Sequence, residues 1–107
     1  MTGKELIEVK IAEWLKENPA KAQDVGAAVI VELSGDTGGR WLIDTSKQPA
    51  TIDNANDSTA DTTIIMETAV LEKIINGELD AQMAFMSGQV KVEGSLGIAI
   101  KFGQLLV

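Results

Sequence analysis

The chain has no cysteine and no histidine. Without cysteine there is neither a disulfide framework nor a thiolate zinc site. Without histidine as well, a Ser-His or Cys-His nucleophile is excluded, and any metal would have to be held by carboxylates and amides alone. Basic residues are also few: 9 Lys and Arg stand against 16 Asp and Glu, for a net charge of −7. Such a chain repels phosphate backbones, and no cluster of Lys or Arg interleaved with aromatics offsets this, so nucleic-acid binding is not expected. No apolar run approaches the roughly 20 residues that span a bilayer. The start, Met1-Thr2-Gly3-Lys4-Glu5, leads into a charged helix without the apolar core of a secretory signal. The end, Gln104-Leu105-Leu106-Val107, is not a peroxisomal tripeptide of the Ser-Lys-Leu type. The expected setting is cytoplasmic.

What is present fits one domain over residues 1–107, large enough for a single core and too small for two. Its charge is unevenly placed. Residues 1–77 carry 13 acidic and 7 basic side chains, whereas residues 78–107 carry 3 and 2, so the C-terminal third is nearly neutral and strongly apolar. There is no internal repeat and no low-complexity segment.

Hydrophobic spacing orders the elements. Thr2 and Glu5 match a capping box, and Ile7, Ile11, Trp14 and Leu15 follow on one helical stripe until Asn18-Pro19 ends it. A strand is expected from Val25, with Ala27, Val29, Val31 and Leu33 on one face, and the run Ser34 to Gly39 turns it back. The returning strand shows Trp41 and Ile43 on one face and Arg40, Leu42 and Asp44 on the other, breaking at Gln48-Pro49. Ala50 to Asp53 and Asp61 to Met66 read as a third and a fourth strand. Thr68 is positioned to cap a helix running through Ile75, which buries Leu71, Ile74 and Ile75 and stops at Gly77. Asp80 caps a short helix from Ala81 to Met86, with Met83 and Met86 three residues apart. Gln89 to Glu93 is the fifth strand, with Val90 and Val92 inward. Ser95 opens a last helix so apolar all round (Leu96, Ile98, Ala99, Ile100, Phe102) that burial on more than one side is expected.

Two polar clusters invite a chemical reading. Asp53, Asn54, Asn56, Asp57, Ser58 and Asp61 resemble a calcium loop superficially. Counting from Asn54, however, the sixth position is Thr59 where the loop needs glycine, and the twelfth is Ile65 where it needs glutamate. A solvated loop between strands is the expectation. The run Gly35 to Gly39 lacks the following Lys-Ser/Thr and helix of a phosphate loop, and reads as a turn. No catalytic residue, metal or cofactor is expected, and the chain is not read as an enzyme.

The order of elements and several strings resemble the sterol carrier protein type two domain, a small lipid-binding module. The strings are Ala60 to Met66, Ile75-Asn76-Gly77, Ala84-Phe85, Ser87-Gly88, and Lys91 with Gly94 and Gly97 in a Lys-x-x-Gly-x-x-Gly spacing. Ser95-Leu96, Ala99-Ile100-Lys101 and Trp41-Leu42-Ile43-Asp44 add to the likeness. The resemblance implies an α+β fold: a mainly antiparallel five-stranded sheet covered on one face by helices, with an apolar tunnel between the layers. It further implies non-catalytic binding and transfer of apolar lipids: fatty acids, fatty acyl-CoA and sterol-like molecules. Carried onto this chain, the tunnel would be lined by Val29, Val31, Trp41, Ile64, Met66, Leu71, Ile75, Met83, Met86, Leu96, Ile100 and Phe102. Two features depart from the pattern. Ile65 is apolar where members often carry a polar residue, and the peroxisomal signal of many eukaryotic members is missing.

Methionine is unbranched and polarizable, so Met66, Met83 and Met86 could repack around ligands of different outline; at such spacings they could equally be plain core. A dry void of about 300 Å³ would cost roughly 7 kcal/mol, comparable with the whole stability of a domain. Either a bound lipid or partial collapse by Met83, Met86 and the last helix is therefore expected. The implied partners are a lipid ligand, a transient membrane contact through the C-terminal third with Lys91 and Lys101, and a lipid-metabolising enzyme. An alternative role is an accessory module that presents apolar substrates to a partner enzyme or mediates association.

Overall fold

The computed structural model describes residues 2–47, 49–55 and 59–105, with the backbone alone at Leu105. Gln48, at the expected break, and Asn56, Asp57 and Ser58 of the polar loop lie outside those residues.

A continuous helical segment over residues 3–17 (α1) opens the chain. It starts as a short α-turn, takes π-helical form over Leu6–Ile11 and finishes as an α-helix over Ala12–Glu17. Both halves of the capping box form: the Glu5 amide donates to Thr2 Oγ1 at 3.1 Å, and the Thr2 amide donates to Glu5 Oε1 at 3.2 Å. The Thr2 amide first, and then the Thr2 hydroxyl, which also donates to Glu5 Oε1 at 3.1 Å, favour the charged carboxylate and hold Glu5 below its usual pKa. Leu6, Ile7, Ile11 and Leu15 are buried and Trp14 is half-buried, so the apolar stripe faces the core.

Asn18 does end α1, but a second helix, α2 (Pro19–Val25), follows at once where the strand was expected to begin near Val25. Proline stands at its first position, where a missing N–H costs nothing, and Gly26 at φ +54° ends it in the left-handed region. Val25 is thus a buried helical residue.

The sheet comprises β1 (Ala28–Ser34), β2 (Gly39–Asp44), β3 (Thr51–Asn54), β4 (Thr62–Glu67) and β5 (Val90–Gly94), in the order β3-β2-β1-β4-β5. Three pairings are antiparallel; β1 with β4 is parallel. The sheet is therefore mixed, with antiparallel pairs predominating. Val29, Val31 and Leu33, Trp41 and Ile43, Ile64 and Met66, and Val90 and Val92 share the covered face, since Val31 stands opposite both Trp41 and Ile64, and Ile64 opposite Val92. Ile65, the apolar departure from the family pattern, points to the other face, between Glu32 and Lys91.

After β4 come α3 (Thr68–Ile75), α4 (Ala81–Met86) and, beyond β5, α5 (Leu96–Leu105). Asp80 caps α4 as expected, accepting from the Gln82 and Met83 amides at 2.8 and 3.1 Å. Thr68 does not cap α3. Glu67 holds the cap position without a side-chain bond, and the Thr68 hydroxyl instead donates to the Ser34 carbonyl at 3.0 Å, tying α3 to the end of β1.

Asp61 joins three strands where β4 begins. Its carboxylate accepts the Ala28 amide at 3.0 Å, its own amide donates to the Ala28 carbonyl, and its carbonyl accepts the Ser95 amide at 3.1 Å. Gly94 has φ +98°, and a Cβ there would lie 2.7 Å from the Asp61 carbonyl oxygen. Only glycine fits this crossing. Gly97, by contrast, sits in the first turn of α5 with nothing closer to a Cβ than Ser95 Oγ at 4.0 Å. Of the two spaced glycines, one is demanded by backbone geometry.

Replacing Gly94 by alanine should destabilise the domain by more than about 2 kcal/mol, through the disfavoured φ and the clash together. Gly97→Ala should be neutral or stabilising by up to about 1 kcal/mol. Urea unfolding of both variants checks the contrast; equal effects would contradict it.

Candidate functional site

The helices cover the two halves of the sheet differently. Over β1 and β2, α1 lies close. The Gly3 amide donates to the Thr37 carbonyl at 3.2 Å, a Cβ on Gly3 would meet Leu33 and Trp41, and the Trp41 indole donates to Glu8 Oε2 at 3.1 Å. Val29, Val31, Trp41 and Leu71 are accordingly buried in the closed part of the core.

Over β4 and β5 the cover is incomplete. A cleft of about 460 Å³ lies there, its floor Ile64 and Met66 from β4 with Val90 and Val92 from β5. One wall is α4, through Ala81, Gln82, Phe85 and Met86. The other is α5, through Leu96, Ala99, Ile100, Phe102, Gly103 and Gln104. Ile74 of α3 and Asp80 complete the lining. The two walls approach each other at Gly103, where a Cβ would come within 3.7 Å of the Ala81 methyl.

Of the twelve residues assigned to a tunnel by resemblance, the cleft brings six together: Ile64, Met66, Met86, Leu96, Ile100 and Phe102. Val29, Val31, Trp41 and Leu71 stand in the closed half, and Ile75 and Met83 lie outside the lining, Met83 at 66% exposure. Strand alternation marks a covered face but not which helix covers which part of it. Val90, Val92, Phe85 and Ala99 were missed as lining residues, although each sat in an element already marked as apolar.

The last helix is not buried on all sides. Leu96 and Ile100 remain 47% and 54% exposed and Met86 78%, because the side of α5 toward α4 borders an opening and not a packed layer. The volume is therefore open to solvent, so the full cost of a sealed dry void does not arise. Chemically the lining offers little: aliphatic and aromatic carbon, two glutamines, and one carboxylate, Asp80, already engaged in capping α4. Among the described residues, no group of three or more acidic side chains is placed to hold a metal ion. Among them, too, no helix is long and apolar enough to cross a membrane.

The model of the SCP-2 sterol transfer family matches residues 9–107. The chain belongs to that family. As a member of the SCP-2 sterol transfer family it is 33% identical over 97 residues to Hydroxysteroid dehydrogenase-like protein 2 of Homo sapiens, which covers 90% of this chain and 23% of that protein. It is 28% identical over 99 residues to Sterol carrier protein 2 of Rattus norvegicus, covering 92% of this chain and 18% of that one. The chain thus spans less than a quarter of the length of these relatives. Among solved structures, palmitated SCP2L2 from Aedes aegypti superposes with a TM-score of 0.72 at 16% identity, covering 99% of this chain and 95% of that one. At that identity the likeness is one of fold.

The lining separates into structural and exposed members. Phe102→Ala, at a side chain only 1% exposed, should cost about 3–5 kcal/mol. Ile100→Ala and Met86→Ala should stay within about 1 kcal/mol of the parent. Denaturant midpoints of the three variants test this, and similar losses at all three would contradict an open cleft.

Proposed function

We propose that this protein binds and transfers apolar lipids in the cleft between β4–β5 and the α4–α5 pair, without transforming them. The observation that carries this reading is the cleft itself: its volume lies in the range of small-molecule sites, and its lining is almost wholly apolar. Membership of a family described as sterol transfer, and the fold of a protein solved in palmitated form, support it. Fatty acids, fatty acyl-CoA and sterol-like molecules are the candidate cargo. The six lining residues Ile64, Met66, Met86, Leu96, Ile100 and Phe102 would make the contacts, with Val90, Val92 and Phe85.

Cargo must also enter and leave. Met86, Leu96 and Ile100, lining residues that remain exposed, form an apolar rim at the opening, the surface on which transient contact with a lipid bilayer would rest. A role as an accessory module beside an enzyme is the second reading. It is favoured by the dehydrogenase-like relative, of which this chain matches less than a quarter.

Each methylene withdrawn from water contributes about 0.8 kcal/mol, or roughly a fourfold gain in affinity. Displacement of a fluorescent acyl probe by saturated acids of increasing length should therefore show affinity rising stepwise and levelling off once the cleft is full. Val92→Trp, which fills the floor, should weaken binding by at least about tenfold while unfolding at a similar denaturant midpoint. A flat length series together with an unaffected Val92→Trp variant would refute the carrier reading. Association with a partner that does not respond to lipid would then favour the accessory module.

A further inference from the structure

The chain carries no cysteine, so its sulfur lies wholly in four methionines. Two of them stand on α4 and are the most exposed large apolar side chains among the described residues, Met83 at 66% and Met86 at 78%. Met66, on the floor of the cleft, is by contrast 5% exposed. Successive residues of a helix turn by about 100°, so Gln82, Phe85 and Met86 face the cleft while Met83, one position on from Gln82, is turned aside. The two exposed thioethers thus share a helix and a solvent and differ in one respect: Met86 borders the cleft and Met83 does not.

A thioether needs no ionisation to react with a peroxide, so access to the reagent decides which methionine is oxidised. The Met86 sulfur attacks one oxygen of hydrogen peroxide: an S–O bond forms as the O–O bond breaks, sulfur gives up two electrons, and the leaving hydroxide takes the proton of the transferred hydroxyl to depart as water. The product, a sulfoxide, replaces a flexible apolar tip by a polar one that accepts hydrogen bonds. Among the described lining residues only Gln82 and Gln104 have side chains that can donate; Phe85, Leu96 and Ile100 offer carbon alone. An apolar ligand lying against the sulfoxide would strip it of water and return no hydrogen bond.

We propose that Met86 is a modification site that tunes the cleft: oxidation of its thioether by hydrogen peroxide lowers the affinity for apolar ligands, and oxidation of Met83 does not. The proposal rests on the lipid-binding reading above and adds to it a chemical control over release. Because Met86 stands at the mouth and only part of its side chain would be covered by a ligand, the expected loss is modest, about fivefold. A bound ligand should in turn shield Met86 from the reagent and leave Met83 open to it.

The test is titration of a fluorescent acyl probe before and after hydrogen peroxide, with peptide mass spectrometry to place the added oxygen and circular dichroism to follow the fold. Oxygen should appear on Met83 and Met86 before Met66, and affinity of the parent should fall about fivefold with the helical signal unchanged. Met83→Leu should respond to peroxide as the parent does, and Met86→Leu should not respond, each variant being compared with itself before treatment. Methionine sulfoxide reductases should restore the parent. Full oxidation of Met86 with affinity unchanged, an undiminished loss in Met86→Leu, or a loss of helical signal in step with the loss of affinity would each overturn the proposal and leave lipid binding standing. No saturable probe binding before peroxide would overturn the lipid-binding reading itself, and this modification site with it.

Discussion

The parallel pairing of β1 with β4 is the constraint from which the rest follows. A chain that makes a β1-β2-β3 meander and then returns to the free side of β1 must place β4 and β5 together on one flank. Asp61 secures that return, because its carboxylate and amide engage Ala28 while its carbonyl receives Ser95 beyond the end of β5. The start of β1, the start of β4 and the entrance to α5 therefore meet at one residue. Gly94 is the steric counterpart, the place where two backbones pass too closely for any side chain.

That arrangement divides the covered face unequally. The segment over residues 3–17 supplies four buried aliphatic side chains to the core, and the Trp41 indole and Gly3 amide fasten it over the β1–β2 half. The β4–β5 half receives a six-residue helix and a ten-residue helix that meet at Ala81 and Gly103. Two short helices touching at one end leave a gap above the strands. Its lining is apolar because the same face of the sheet continues beneath it.

Much of this was legible in the sequence. The period-two patterns of β1, β2 and β5, the capping box at Thr2 and Glu5, and the Asp80 cap all lie where local chemistry puts them, because each depends on neighbours within a few residues. Helix α2 escaped because Pro19 reads both as a stop for the helix before it and as a start for the helix after it. Thr68 misled for a related reason: its hydroxyl suits a cap, but a carbonyl 34 residues distant in sequence accepts it instead. The site divided along the same line. Ile64, Met66, Leu96 and Ile100 could be found as apolar residues on the proper elements. Whether Val29 or Val90 borders the opening depends on which helix lies above each strand, and periodicity carries no record of that.

The position of β5 has a consequence for the proposed site. It forms the outer floor of the cleft yet, among the described residues, is bonded on one flank only, to β4. If lipid binds there as proposed, a bulkier guest would strain that single ladder before it disturbed β1, which is bonded on both flanks. Any adaptation to girth would therefore fall at the periphery of the sheet and not at its centre.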